Sequence, residues 1–224
     1  DAERVDMIRT VIATGKPIDS FALHNGESAE FLSAGRMLPV IPAAFEKGSV
    51  DDVVKMWTPG AFEACGGSWD GQYYGIPFEL SNYVAWINTS DMREAGLNPE
   101  RDIPKTWEQF AQAAGKLKKI QDGAVVRNGF MCNSKKGVFN FLVVLSMMEQ
   151  LGLDWGTEKG LVASMDQTET LVRGLKTYTD FVTASRIWDP SLAEEDRAGF
   201  GNNKSATLLT AGTWYWGLLE SYTV

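Results

Sequence analysis

The sequence predicts an α/β fold, because short strand-like runs alternate along the chain with stretches of helical periodicity. The clearest helical stretch begins at Leu171, from which apolar residues recur at i+1, i+4, i+7, i+10 and i+11. The clearest strand is Val84–Asn88, which is rich in β-branched and aromatic residues. A chain of 224 residues has room for one large domain or two modest ones.

The predicted helices rest on apolar spacing and on residues that favour helix ends. Val5 and Ile8 begin the period of the first helix, and Gly15 fits the position just beyond its last turn. Ser49 and Thr106 are N-cap residues, each with an acid or an amide three places further on. In chain order, we expect helices over Ala2–Thr14, Glu27–Ala34, Ser49–Trp57, from Thr58-Pro59, from Thr106, over Val138–Gln150, from Asp166, and after Gly212.

The remaining segments are expected to form short strands and loops. Aromatic and β-branched residues cluster in the strands, and turn signals such as Asn25-Gly26 separate them. The loop Asp189–Asn203 is polar, and we expect a solvated surface with one helical turn there rather than a site. In chain order, the expected strands are Phe21–His24, Tyr73–Ile76, Val84–Asn88 and Ala206–Leu209.

Composition excludes several classes of function. The net charge of −8 argues against binding to nucleic acid or to an anionic membrane surface, since both need clustered Lys and Arg. No run of 18 or more apolar residues occurs, so we expect no membrane span. The eight Trp residues are core candidates first, but flat aromatic faces also suit sugar rings.

Motifs for metal or cofactor chemistry do not occur in the sequence. His24 is the single histidine and cannot build a histidine-based metal site. Cys65 and Cys132 follow no metal-ligand spacing and no Cys-x-x-Cys pattern. The segment Gly201–Ser205 departs from a phosphate-binding loop, because Asn203 stands where glycine must precede the lysine. We therefore predict no metal and no cofactor.

Paired carboxylates, as glycoside hydrolysis requires, are possible in this sequence. Glu79, Glu63 and Asp70 are the candidate members. Surface charge, or hydrogen-bond acceptors for a ligand, is the simpler explanation of the same residues. A carbohydrate-active hydrolase using Glu79 and a second carboxylate, with the two acids about 5 to 10 Å apart, is kept as the alternative function.

Short motifs follow one another in a fixed order along nearly the whole chain. In that order they are Thr14-Gly15, Pro17-x-Asp19, Phe31–Leu38, Gly75-Ile76-Pro77, Trp86-Ile87-Asn88-Thr89, Glu94-Ala95-Gly96-Leu97, Pro104-Lys-Thr-Trp107 and Ala206–Trp214. Each motif alone is short, but the ordered set is specific. The set resembles the family 1 extracellular solute-binding proteins, which are the maltose-binding-protein-like subunits of ABC importers.

The resemblance implies the two-lobe periplasmic-binding-protein-like (class II) fold, in which two α/β lobes hold a ligand between them. It implies a partial first lobe over residues 1–82 and 206–224, and a second lobe over residues 88–203. Hinge strands would lie near residues 83–88 and 204–209. The family's opening strands and everything after the returning aromatic turn find no match here, so the first lobe is incomplete. We therefore expect a piece of a longer protein or a natural truncation.

The resemblance also carries over the positions that contact ligand. They belong to the loop after the first strand, the start of the crossover and the returning aromatic turn: His24, Asn25, Glu79, Ser81, Asn82, Tyr83, Trp214, Tyr215 and Trp216. Trp214 matches the aromatic that stacks on a sugar face, while polar side chains would meet the hydroxyls. For Trp214, the competing explanation is packing in the core. For His24, it is an ordinary role as a hydrogen-bonded loop residue.

The function implied is binding rather than catalysis. The protein would be an extracytoplasmic subunit that captures a sugar or an oligosaccharide by hinge closure and presents it to an ABC permease. A ligand-sensing module with the same fold is a further alternative. We expect a monomer in the periplasm or outside the cell, lipid-anchored in a Gram-positive organism. The chain begins at Asp1 without a signal sequence, which suggests a processed or trimmed chain.

Overall fold

The computed structural model describes residues 2–24, 26–65, 67–132, 137–153, 167–192 and 194–222. The chain divides into two compact units, Asp1–Leu80 and Ser81–Val224. Both units combine helices with short strands, which confirms the predicted α/β class. Among the described residues, no helix has the length and the apolar content that crossing a bilayer would require.

The first unit is mostly helical and loop-rich. Its core groups Val5 and Ile8 of the first helix with Phe31 of the second, and Phe21 packs at its side. Arg9 also joins the two helices through Glu30, with 2.9 Å between Nη2 and Oε1. In chain order its elements are α1 (Ala2–Ala13), α2 (Ala29–Ser33), a 3-10 turn (Pro42–Phe45), α3 (Val50–Val54), α4 (Ala61–Ala64), β1 (Ser68–Trp69) and β2 (Gln72–Tyr73).

The helix predictions for this unit are confirmed in type and adjusted in length. Gly15 follows α1 with a φ of +68°, as expected for a glycine beyond a helix end. Ser49 caps α3 by accepting the Asp52 N–H at 3.2 Å. The predicted Pro59 start is wrong by two residues, because α4 begins after Gly60.

The strand predictions for this unit are only partly right. Phe21–His24 is not a strand, because no segment within the described ranges pairs with it. The predicted strand Tyr73–Ile76 contributes only its first residue to β2, which pairs with β1 through the Asp70-Gly71 turn. An apolar run alone does not make a strand, since a strand needs a hydrogen-bonding partner.

The second unit contains the larger core. Phe110, Phe130 and Phe181 meet at its centre, and the ring centroids of Phe130 and Phe181 lie 5.4 Å apart. In chain order its elements are β3 (Trp86–Ile87), α5 (Thr89–Glu94), α6 (Trp107–Leu117), β4 (Lys119–Gln121), β5 (Ala124–Arg127), α7 (Gly137–Gln150), α8 (Thr168–Thr183), α9 (Asp196–Gly201), β6 (Thr207–Leu208), a 3-10 turn (Thr213–Tyr215) and α10 (Trp216–Leu219).

The helices of this unit follow the predicted pattern closely. Thr106 caps α6 by accepting the Gln109 N–H at 3.1 Å. The Gln109 side chain accepts from the Lys105 N–H instead of closing a full capping box on Thr106. Gly152 follows α7 with a φ of +97°. The predicted cap Asp166 lies outside the described residues, and α8 begins at Thr168.

A hairpin that the element predictions do not include joins β4 to β5. Its two-residue turn is Asp122-Gly123, with φ values of +51° and +78°. Positive φ at both positions is the geometry that matches the twist of two antiparallel strands. The Asp-Gly pair was the signal in the sequence for this hairpin.

The strands β3 and β6 pair in antiparallel fashion, with Trp86 opposite Leu208 and Ile87 opposite Thr207. These are the centres of the two predicted crossing strands, Tyr83–Asn88 and Lys204–Leu209. The pairing carries residues 206–222 into the second compact unit of this chain. Their assignment to the first lobe of the complete fold, and the hinge role of the two strands, stay predictions.

The loop prediction for Asp189–Asn203 is wrong in one respect. Asp196 begins α9 and is completely buried. Gly199 and Phe200 of the same helix are also buried. Polar composition predicted a solvated surface, but Asp196 is held inside by a hydrogen bond from the Thr210 hydroxyl. A charged residue can be buried when hydrogen bonds replace its hydration.

Candidate functional site

The start of the crossover and the returning turn meet in the second unit. Tyr83 and Gly212 form an antiparallel bridge. The Thr213 N–H donates to the Asn82 carbonyl at 3.3 Å, and the Val84 N–H donates to the Ala211 carbonyl at 3.4 Å. The continuing ladder of β3 and β6 therefore brings together two predicted site segments that lie far apart in the sequence.

Gly212 allows this close approach because it has no side chain. A Cβ atom at this position would lie 2.7 Å from Ser81 Oγ, 2.8 Å from Trp214 Nε1 and 2.9 Å from the Asn82 carbonyl. The Ser81 and Thr213 hydroxyls also lie 3.4 Å apart across the junction. The Ser81 hydroxyl, the Asn82 backbone carbonyl and the Trp214 indole consequently lie close together around Gly212.

Trp214 presents part of its indole on that surface, with 36% of the residue exposed. Tyr215 meets its ring edge-on, at 6.1 Å between centroids and an angle of 89°. The Arg197 guanidinium lies over the ring, with Cζ 4.9 Å from the centroid. The ring is therefore held on one side by protein while it keeps exposed surface.

Arg197 was not among the predicted site residues. Its Nε and Nη2 both donate to the Thr210 carbonyl, at 3.2 and 2.8 Å. Its own carbonyl accepts the Tyr215 hydroxyl at 2.5 Å. The Asp196 carboxylate accepts the Arg197 N–H at 2.9 Å and the Thr210 hydroxyl with its other oxygen. Asp196, Thr210 and Tyr215 are all completely buried, so Arg197 is anchored to a rigid part of the unit.

Burial dominates the electrostatics of this cluster. It raises the pKa of the Asp196 carboxyl above its ordinary range, against the opposing effect of the Thr210 hydrogen bond. Burial also raises the pKa of the Tyr83 phenol, which the nearby Arg197 charge partly offsets. The pKa of Tyr215 is raised as well, mainly by burial. The tyrosines are thus neutral hydrogen-bonding groups at physiological pH.

Two of the predicted aromatic contacts have different surroundings from Trp214. Tyr215 is completely buried and packs with Phe200, Leu208 and Ala211, so its position is that of a support for the turn rather than of an exposed ligand surface. Trp216 is 65% exposed and stacks on Trp86, with 6.3 Å between centroids. A mixture of core and surface aromatics in one turn could not be resolved from the sequence.

The remaining predicted site residues belong to the first unit. His24 is exposed, and its N–H donates to Glu27 Oε2 at 2.7 Å. Glu27 also pairs with Arg4 at 2.7 Å, which ties this loop to α1. Glu79 is exposed on the extended segment that ends the unit. Asn25 lies outside the described residues.

The other candidate carboxylates have structural surroundings. Asp70 occupies the β1–β2 turn with a φ of +49°. Glu63 interacts with the Tyr73 phenol, whose pKa is raised first by burial and then by the Glu63 charge. Neither residue is brought next to Glu79 by an observed contact.

The cysteines are free thiols in different units, both half-buried. Burial raises the pKa of the Cys132 thiol to about 11, which favours the protonated thiol at neutral pH. Across the described ranges, His, Cys, Asp and Glu side chains form no group of three or more that could hold a metal ion.

The fold is that of the two-lobe ABC substrate-binding proteins. The structure matches a substrate-binding protein from Listeria monocytogenes in complex with cycloalternan, with a TM-score of 0.66 and 20% identity, over 97% of this chain and 53% of that one. It also matches a solute-binding protein from Thermotoga lettingae bound with α-D-tagatose, with a TM-score of 0.64 and 21% identity, over 96% and 53% of the two chains.

The sequence profile described as "Bacterial extracellular solute-binding protein" matches residues 2–218, and the chain belongs to this family. The arabinooligosaccharide-binding protein of Bacillus subtilis (strain 168) is 26% identical over 154 residues, which are 68% of this chain and 33% of that protein. The chain spans about a third of that relative and about half of the solved structures. The family and fold inferred from the sequence motifs are therefore confirmed.

Proposed function

We propose that this chain is part of an extracytoplasmic solute-binding subunit of an ABC importer, and that its ligand is a sugar or an oligosaccharide. The observation that carries the proposal is the junction of Ser81–Tyr83 with Gly212–Trp214, where a partly exposed indole lies beside the Ser81 hydroxyl and a backbone carbonyl. Sugars combine apolar C–H faces with a belt of hydroxyls, so this pairing of surfaces suits them.

Similar proteins support the same ligand class. One relative is named for binding arabinooligosaccharides, and two solved structures hold cycloalternan and α-D-tagatose. In the proposed site, Trp214 stacks on a sugar ring while Ser81, Asn82 and Tyr83 bond its edge. Tyr215 supports the turn, and Trp216 extends the aromatic surface.

His24, Asn25 and Glu79, which the resemblance also assigns to the ligand site, would bond further hydroxyls of the ligand in the complete protein. The lobes, assigned here as residues 1–82 with 206–224 and as 88–203, would close about the strand pair β3 and β6. Closure is a population shift that the ligand drives by binding the closed form more tightly. The permease would then recognise the closed form.

Isothermal titration of the full-length protein with arabinotriose, mannotriose and D-tagatose tests the proposal. We expect heat of binding with at least one sugar, and affinity weaker by about tenfold or more for Trp214→Ala, the loss of one stacking face. Trp69→Ala is the matched control, because Trp69 is similarly exposed (39%) but lies on β1. A response to peptides or polyamines and to none of the sugars would overturn the ligand class.

The alternative of a hydrolase makes a different prediction. A hydrolase would release shorter products from an oligosaccharide, and Glu79→Gln would stop the release. We expect the oligosaccharide to be recovered intact after long incubation, as for a binding protein. Accumulation of products that depends on Glu79 would replace the binding proposal with hydrolysis.

Location and partners complete the proposal. We infer a monomer outside the cytoplasm, attached by a lipid anchor where the organism is Gram-positive, with a membrane permease as its partner. Light scattering of the purified protein gives the oligomeric state, and cell fractionation gives the location. A stable dimer would contradict the inferred monomer. Recovery of the protein in the cytoplasmic fraction would contradict the inferred location.

A further inference from the structure

Arg197 lies over the Trp214 indole from an element that the proposed sugar site does not include. The guanidinium belongs to α9, and its Cζ is 4.9 Å from the ring centroid. This distance is within the range of a cation–π contact, in which a planar guanidinium stacks on an aromatic face. One face of the ring is consequently covered by the protein itself.

The guanidinium is held in place before any ligand arrives. Two of its nitrogens donate to the single Thr210 carbonyl, at 3.2 and 2.8 Å. Thr210 in turn donates its hydroxyl to Asp196, and Asp196 accepts the Arg197 N–H. The buried Tyr215 hydroxyl closes the arrangement by donating to the Arg197 carbonyl at 2.5 Å.

This arrangement links the orientation of Trp214 to a completely buried polar network. Asp196 and Thr210 are 0% exposed, whereas Trp214 is 36% exposed. A side chain on a surface turn would ordinarily lose rotamer freedom when it binds a ligand, which weakens binding. A ring that is already stacked on a fixed guanidinium loses less rotamer freedom when the ligand binds.

We propose that Arg197 is a positioning residue that orders the Trp214 ring and limits stacking to its opposite face. The inference rests on the proposed function for its effect on sugar affinity, but the ordering of the ring is a property of the unliganded protein. Arg197 acts through Trp214, so its removal matters for binding only while Trp214 is present.

The test combines a spectroscopic signature with a double-mutant cycle. With 5-fluorotryptophan incorporated, the ¹⁹F resonance of Trp214 is assigned by its loss in Trp214→Phe. We expect Arg197→Gln to shift or broaden that resonance in the unliganded protein. Arg173→Gln, at an exposed position on α8, is the matched control and leaves the resonance in place.

Titration with mannotriose gives the second readout. Arg197→Gln is expected to weaken binding roughly fivefold, the scale that a partly exposed cation–π contact supplies. The same change in a Trp214→Ala background is expected to have no further effect. Arg197→Lys keeps the cation without the planar fork and is expected to restore part of the affinity. This variant also keeps the test decisive if Arg197→Gln unfolds, as the thermal midpoint would reveal.

Failure of this inference is distinct from failure of the proposed function. If the wild-type protein binds no sugar, the proposed function fails, while the ¹⁹F resonance still decides whether Arg197 orders the ring. An unchanged resonance in both Arg197 variants overturns the inference. Equal loss of affinity from Arg197→Gln with and without Trp214 overturns it as well, because Arg197 would then act independently of the ring.

Discussion

Gly212 and Ser81 approach each other so closely that a Cβ atom on Gly212 would lie 2.7 Å from the Ser81 hydroxyl oxygen. Real Cβ atoms essentially never come so near to another heavy atom. The crossover and the returning turn can meet here only because one partner is glycine. The junction that carries the proposed ligand surface therefore depends on the lack of a Cβ atom at Gly212.

Gly212→Ala is expected to lower the free energy of unfolding by about 1–3 kcal/mol, as for other overpacked sites. The added methyl group would displace Ser81, the Asn82 carbonyl or the Trp214 indole. Chemical denaturation measures the change. Gly217→Ala is the control, because a Cβ there meets nothing within 4 Å and its helical position favours alanine by about 0.5–1 kcal/mol. Equal stability of the two variants would contradict the close approach.

Arg127→Met is expected to be strongly destabilising, by about 3–5 kcal/mol, because it removes the cation that pairs with the buried Asp91 carboxylate. Arg127 Nη1 lies 2.5 Å from Asp91 Oδ1, and both side chains are almost fully buried. Thermal unfolding measures the loss. Lys176→Ala breaks an exposed pair with Asp180 and is expected to cost no more than about 0.5 kcal/mol. A small effect of Arg127→Met would contradict the prediction that this buried ion pair stabilises the fold.

Asp196→Asn is expected to change how stability depends on pH. Burial raises the pKa of Asp196 in the folded protein, so the native state binds this proton more tightly than the unfolded state does. This tighter proton binding stabilises the folded state fully below the ordinary carboxyl pKa of about 4. The stabilisation is lost as the pH rises through the pKa of Asp196 in the folded protein. An Asn side chain stays neutral and escapes that loss.

The measured quantity is the difference in unfolding free energy between Asp196→Asn and the wild type, from pH 3 to pH 7. We expect it to move in favour of the variant as the pH rises. Asp19→Asn, at an exposed position in the first unit, serves as the control. A difference that does not vary with pH would argue that Asp196 titrates alike in the folded and unfolded states.

Tyr215→Phe is expected to cost about 1–2 kcal/mol of stability, because the Arg197 carbonyl loses its buried donor. The aromatic packing against Phe200 and Leu208 would be kept. Urea denaturation measures the loss, and Tyr74→Phe in the first unit controls for removing a hydroxyl elsewhere. If both variants behave alike, the Tyr215 hydroxyl has no special role in fixing the turn.

The helices were the most predictable part of the fold. In α1 and α7, apolar content set the type and a glycine with positive φ set the end, and both signals are local. Strands depended on distant partners. Phe21–His24 had the composition of a strand but pairs with no described segment, whereas Trp86–Ile87 found β6.

The candidate site was predictable to a smaller extent. Motif order indicated Ser81, Asn82 and Trp214, and the structure brings these three together. Arg197 could not be found in the same way, because its contact with Trp214 depends on how α9 packs against the turn that follows β6. The acidic run around it looked like solvated surface, whereas the structure shows Asp196 buried with hydrogen bonds from the Thr210 hydroxyl and the Arg197 N–H.

The pairing of β3 with β6 also bears on the order of folding. Trp86 donates its indole N–H to the Ala211 carbonyl across 125 residues of sequence. Contacts of such long range form late and slow folding, since a large loop must close first. During synthesis, β3 cannot pair with β6 until the ribosome has released the chain through Ala211. A nascent chain that stops short of β6 would expose that edge and is the species that chaperones would meet.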